Sequence, residues 1–329
     1  MLSPYIVKRI RIKKNNLRKK VLFFLRFFVG VALLYVVFRI VPYKKLFFLL
    51  GRASLFHIFL SFLLSLLLNI IVALRWRFIL QVLKIEISFK EVLYVYFSSL
   101  FFSLFSLSLI ISDLFRGSAL VWRFRNGEKI VSSVVVDRIS GFLALSIVAV
   151  SSFLLGRNFL DRDVFWAVII VSGVSLAFLF FLYHPFLLRW IKKIISKKML
   201  SRIDNLYKEL SFLKKNPAAF LKAVTYSLGI QLLSVFSFFL LAKAFFQDVS
   251  LFYFFIFVPL ITLVAFLPIT VAGIGTRELA CIYFFSKIGI GKEVSLAISL
   301  FNLFFVILLA IGGGVIYVMV YYRWLESAE

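Results

Sequence analysis

Apolar runs long enough to cross a bilayer recur along the whole chain, at Val21–Val41, Ser54–Leu74, Val131–Leu155, Val164–Tyr183, Ala223–Phe246 and Val294–Tyr317. About 20 apolar residues match the hydrocarbon thickness of a membrane when helical. In lipid each backbone N–H and C=O needs a partner within the protein, so such runs fold as helices or as strands of a closed barrel. The apolar/polar alternation of a barrel strand is missing here. The expected fold class is therefore an all-α polytopic membrane protein. Composition agrees: 63% of residues are hydrophobic and 19% aromatic, well above the roughly half-apolar usage of soluble domains.

Charge sets the topology. Eight of the first twenty residues are Lys or Arg, and ten more lie between Arg189 and Lys222. The positive-inside rule assigns both segments to the cytoplasm. The first four runs then return the chain to its starting side. One apolar block, Val92–Phe124, lies among them, and parity forbids it from being a single crossing. It must be a hairpin, either two short spans or a re-entrant loop. A second block, Leu251–Ile290, poses the same problem before the last run and its basic Arg323. The expectation is about six full spans plus two hairpin or re-entrant segments, about eight or more membrane helices in all. The first hairpin opens from the cytoplasmic side and the second from the outer side, the arrangement of an inverted repeat. Both termini are expected in the cytoplasm, and residues 1–329 form a single integral membrane domain in the cytoplasmic membrane.

The basic N-terminus, residues 1–20, is too polar for a signal peptide, and the run after it lacks a cleavage site. In the arm at residues 186–222, apolar residues at helical spacing alternate with lysines, as in a helix lying on a membrane surface; a solvated topological linker fits equally. Pro217 marks the arm's end. The net charge of +25 is concentrated in these flanking segments. It points to anionic lipid headgroups rather than nucleic acid. One cysteine, Cys281, excludes an intramolecular disulfide and a thiolate metal cluster, and His57 and His184 form no ligand motif. Neither a metal nor another cofactor is expected.

Function should sit where polar groups interrupt apolar sequence. Three acid–base groupings do so: Asp113 with Arg116, Asp137 with Arg138, and Arg277 with Glu278. An unpaired charge at the centre of a bilayer costs roughly 3 kcal/mol even on the lenient insertion scale, so these groups should face the protein interior. Asp113 and Arg116 are spaced to pair on one helical face, whereas Asp137 and Arg138 point apart and need partners elsewhere. The arginines can offer guanidinium forks to a phosphate while the acids position them. Alternatively the groups pair with one another and fix helix packing. The segment Leu267-Pro-Ile-Thr-Val-Ala-Gly-Ile-Gly-Thr-Arg-Glu278 adds Thr270, Gly273 and Gly275 to the candidate substrate site. Arg75 and Trp76 close the second run as expected interfacial anchors. Gly312-Gly-Gly314 suits close helix packing, and Asn69, Gln231 and Asn302 suit interhelical hydrogen bonds or a cavity lining.

Taken in order, Arg75-Trp76, Asp113-Leu-Phe-Arg116, Asp137-Arg138 and Pro268-Ile-Thr-Val-Ala-Gly-Ile-Gly-Thr-Arg-Glu278 resemble the lysylphosphatidylglycerol synthase transmembrane-region family, the flippase-like domain. The resemblance covers nearly the whole chain. Two positions depart from its pattern: Ile111-Ser112 replaces a glycine pair, and Ala272 replaces a glycine. The resemblance implies a role in moving or presenting a lipid across the cytoplasmic membrane. The family's bifunctional synthases carry a soluble aminoacyl-transfer domain after the membrane region. The sequence ends at Glu329, and lipid aminoacylation is not expected of it.

The expected function is thus flippase-like or scramblase-like transport of a phospholipid or lipid-linked headgroup, with anionic phospholipids as partners. Transport, rather than catalysis, is the reading that the residues favour. Two others remain open: a membrane-embedded transferase acting on a lipid-linked substrate, and a non-catalytic scaffold for a lipid-synthesis enzyme. The sequence leaves room for such an enzyme partner and for a homo-oligomer.

Overall fold

The computed structural model describes residues 28–156 and 216–321, apart from positions 30, 38, 42, 107–108, 267–269 and 271–272, with a few isolated positions between 162 and 173. The basic N-terminus, the run expected at Val164–Tyr183, nearly all of the arm and the tail after Tyr321 lie outside the described residues.

Among the described residues the chain is helical: α1 (Tyr43–Arg52), α2 (Leu55–Val82), α3 (Phe89–Ser106), α4 (Leu109–Phe124), α5 (Gly127–Gly156), α6 (Pro217–Ala244), α7 (Leu251–Phe266), α8 (Thr276–Ser286) and α9 (Lys292–Ile316). Four stretches are long and apolar enough to cross a membrane: Leu55–Val82, Gly127–Ser151, Pro217–Ala244 and Lys292–Val320. The larger number of membrane helices expected from the sequence exceeds these four. Pro217 occupies the first turn of α6, where its missing N–H costs no helix hydrogen bond.

The chain forms two compact units, one of Arg52–Leu260 with Leu300–Glu329 and one of Met1–Gly51 with Ile261–Ser299. In the larger unit α2 and α6 run antiparallel. The Ser54 N–H donates to the Ala244 carbonyl at one end, Ser61 and Ser65 meet Ser237 at 2.8 and 3.1 Å, and Arg75 reaches Ser227 nearer the other. Paired hydroxyls hold helices together in lipid because tails compete for none of their hydrogen bonds.

The block at Val92–Phe124 is an antiparallel helical hairpin. Its α3 and α4 are joined at Ser99 and Ser112, whose hydroxyls lie 2.9 Å apart, and at Glu91 and Arg123, 2.9 Å apart. Between them the Phe102 and Phe115 rings stack. The hairpin packs on α2 through an apolar cluster that includes Trp76, Leu80, Val92, Val95, Leu120 and Ile130. Helix α9 approaches α3 through glycine: a Cβ on Gly313 would overlap the Phe97 carbonyl, and one on Gly314 would lie 2.6 Å from the Phe101 ring. The glycine run serves close packing, as its composition suggests.

Candidate functional site

The hairpin brings two of the acid–base groupings together. Asp113 and Arg116 are one turn apart on α4, and their Oδ1 and Nη2 atoms lie 2.7 Å apart. Asp137 and Arg138, on α5, point to different partners. Asp137 accepts from Arg75 Nε at 2.7 Å on one oxygen and from Arg116 Nη2 at 2.8 Å on the other. Arg138 Nε donates to Asp113 at 2.7 Å. Arg75 Nη1 donates to the Ser227 hydroxyl at 2.7 Å, which donates in turn to the Ala223 carbonyl. A continuous chain runs Ser227, Arg75, Asp137, Arg116, Asp113, Arg138, drawn from α6, α2, α5 and α4.

Burial grades along it. Arg116 and Asp137 are each 2% exposed, while the Asp113 and Arg138 side chains are 15% and 33% exposed. The chain thus leads from the interior to an accessible end. Arg75 stands seven residues before the end of α2, about 10 Å inside it at 1.5 Å per residue. Charges at that depth in apolar helices persist only when partnered. Among the described residues three guanidiniums share two carboxylates in this chain. Arg116 Nε and Nη1 are buried without a hydrogen-bond partner among the described residues, and the Trp76 ring covers the guanidinium at 4.8 Å. Trp76 is itself held by its indole N–H donating to Ser133 at 3.1 Å.

In the smaller unit the helix α8 begins at Gly275, whose φ of +87° favours glycine. Gly273, at φ +73°, faces the Ala265 backbone so closely that a Cβ would lie 2.7 Å from its carbonyl. Glu278 folds back to accept the Gly275 N–H at 2.5 Å, which satisfies one of the donors that a helix start leaves open. Its other oxygen accepts from Arg277 Nη2 at 2.9 Å and from the Ser299 hydroxyl at 3.1 Å. Thr276 donates to the Gly273 carbonyl and meets Thr270 at 3.2 Å. Glu278 and Arg277 are both buried. The arrangement is a charge-neutral staple across a helix break.

The candidate residues therefore fall into two groups, Asp113, Arg116, Asp137 and Arg138 in one, Thr270, Gly273, Gly275, Arg277 and Glu278 in the other. Arg75 and Trp76 depart from the expectation. They are buried inside α2, which continues to Val82, and they bind Asp137 and Ser133 instead of anchoring at an interface. Sequence reasoning missed Ser227, Ser133 and Ser299. Each is one hydroxyl in an apolar helix, with no local pattern to set it apart from the other serines.

A polytopic helical membrane protein with partnered charges buried among its helices is what the fold and the site define. The chain matches the family model described as the lysylphosphatidylglycerol synthase TM region over residues 23–319, and it belongs to that family. Comparison with curated proteins and with solved structures gives no match.

Proposed function

We propose that the protein moves or presents a lipid headgroup across the cytoplasmic membrane, and that the headgroup phosphate engages the Arg116–Asp113–Arg138 end of the buried charge chain. The observation that carries this reading is Arg116, a buried guanidinium whose N–H groups on Nε and Nη1 have no hydrogen-bond partner among the described residues. Donors of that kind are matched by phosphate oxygens. The accessible Arg138 supplies an approach from outside the bundle while acyl chains remain in lipid. The hairpin of α3 and α4 is read as the re-entrant element that carries the site into the membrane. The Gly273–Glu278 break of the smaller unit, with Thr270 and Arg277, is read as a separate polar element that can contact a headgroup.

The test is headgroup accessibility of fluorescent phospholipids in liposomes reconstituted with the full chain. Lipid exchange by the wild type that Arg116→Lys and Asp113→Asn lose, while both variants still insert and stay monodisperse, supports transport. No exchange above empty liposomes, with neutral and anionic lipids and an imposed potential, removes it in favour of a transferase or a scaffold.

A further inference from the structure

We propose that Arg75 is a positioning residue for the site at Arg116: by holding one oxygen of Asp137 it stops that carboxylate from closing on Arg116 as a fork, and so keeps N–H groups of Arg116 open to a phosphate. This role rests on the headgroup reading above. A carboxylate that faces a single arginine commonly takes two parallel N–H bonds, one from each of two guanidinium nitrogens. Arg116 makes no such pair. Both of its acids meet it on one nitrogen, Nη2, Asp113 at 2.7 Å and Asp137 at 2.8 Å, and Nε and Nη1 have no hydrogen-bond partner among the described residues. The reason lies in the other oxygen of each acid. Asp137 Oδ1 accepts from Arg75 Nε at 2.7 Å, and Asp113 Oδ2 accepts from Arg138 Nε at 2.7 Å. Each carboxylate is divided between two arginines, and the division leaves N–H groups of Arg116 over.

Arg75 is fixed in the place this role requires. It comes from α2 and reaches Asp137 on α5, while its Nη1 donates to Ser227 on α6 at 2.7 Å. The same nitrogen lies 3.5 Å from where a Cβ on Gly141, one turn beyond Asp137 on α5, would stand. Bonds to two other helices hold the guanidinium, and the residue is buried. Trp76, the next residue of α2, covers the Arg116 guanidinium from the side of its ring at 4.8 Å. The N–H bonds of a guanidinium lie in its plane, so a ligand takes them at its edges. An Asp137 released by Arg75 would add Nε or Nη1 to its bond with Nη2 and occupy such an edge itself. An oxyanion and a forked Asp137 therefore compete for the same donors, and Arg75 decides the competition.

The experiment uses the full chain in maltoside micelles, which carry no phosphate, titrated with short-chain phosphatidylglycerol and separately with glycerol 3-phosphate. Calorimetry reads the dissociation constant and the number of sites. Arg75→Met should weaken binding roughly tenfold or more, the size of one charge-assisted hydrogen bond, at an unchanged number of sites. Arg75→Lys, which keeps a cation on Asp137, should recover most of the affinity. Adding Asp137→Asn to Arg75→Met should recover it too, because an amide has a single acceptor oxygen and cannot fork Arg116. Fewer sites at unchanged affinity in Arg75→Met, or a double variant that regains no affinity, overturns the proposal and leaves Arg75 as a packing partner. Should Arg75→Met not stay monodisperse, the double variant is compared with Arg75→Lys: matched affinities support the role, and a much weaker double variant removes it. A wild type that binds neither probe removes the headgroup reading and the role of Arg75 with it, whereas a wild type that binds while Arg75→Met binds equally well removes the role alone. Binding of glycerol 3-phosphate as tight as that of the lipid assigns the site to free phosphates, and binding of the lipid alone assigns it to lipid-borne ones; the variants test Arg75 on whichever probe binds.

Discussion

Asp137 accepts a guanidinium on each carboxylate oxygen, so neutralising it takes a charged partner from two buried cations at once, leaving Arg116 with Asp113 and Arg75 with the Ser227 hydroxyl. Breaking a buried ion pair from one side costs about 3–5 kcal/mol, because the remaining charge keeps its desolvation penalty without its partner. Asp137→Asn should therefore lower the thermal unfolding midpoint in detergent sharply. Arg138→Gln, at the exposed end, should cost about 1 kcal/mol or less. Comparable losses in the two variants would mean that the chain does not share its charge as the geometry describes. The Asp113–Arg116 pair was legible in the sequence because three residues along a helix bring side chains together. So was the need of Asp137 and Arg138 for outside partners. That Arg75 answers Asp137 was not, since 62 residues separate them and only tertiary packing chooses the partner. The short reach assumed for the second apolar run hid this further: ending it at Leu74 made Arg75 a terminus, whereas the helix runs on for two more turns.

Helices α3 and α9 meet where Gly313 touches the Phe97 backbone, and backbone cannot retreat as a side-chain tip can. Gly313→Ala should loosen this contact and lower the unfolding midpoint. Gly312→Ala has nothing within 4 Å of the new methyl and should be neutral or gain up to about 1 kcal/mol of helix propensity. Equal effects at the two positions would count against glycine-mediated packing. The break before α8 offers the parallel case: Gly273→Ala combines a left-handed φ with a clash against the Ala265 carbonyl, a strain of order 1–3 kcal/mol. That an apolar block folds as α3 and α4 could be read from charge parity alone, and the break from Gly273 and Gly275. Helix ends could not, because in apolar sequence they are set by which residues pack: Arg77, for example, is kept in α2 while its Nε donates to the Ile87 carbonyl.

At the scale of the whole molecule, the described charges differ between the two ends of the larger unit. The end where α2 finishes and α3, α5 and α6 begin carries Arg77, Lys84, Lys90, Arg123, Arg125, Lys129 and Lys222 against Glu86, Glu91 and Glu128. Among the described residues the opposite end carries Arg52 and Lys243 with Asp248. Short loops rich in Lys and Arg stay on the cytoplasmic side, and acids count for little in that rule. We propose that the basic end faces the cytoplasm, the side of the anionic leaflet. The chain has one cysteine, buried Cys281, so Cys281→Ser gives a clean background for labelling. In that background, a membrane-impermeant maleimide applied to intact cells should label Asp248→Cys and leave Lys90→Cys unreacted until the membrane is opened. Asp248 is fully exposed and pairs at the surface with Lys243, so its replacement should leave the fold in place. The reverse pattern would overturn this orientation and place the basic end of the larger unit outside.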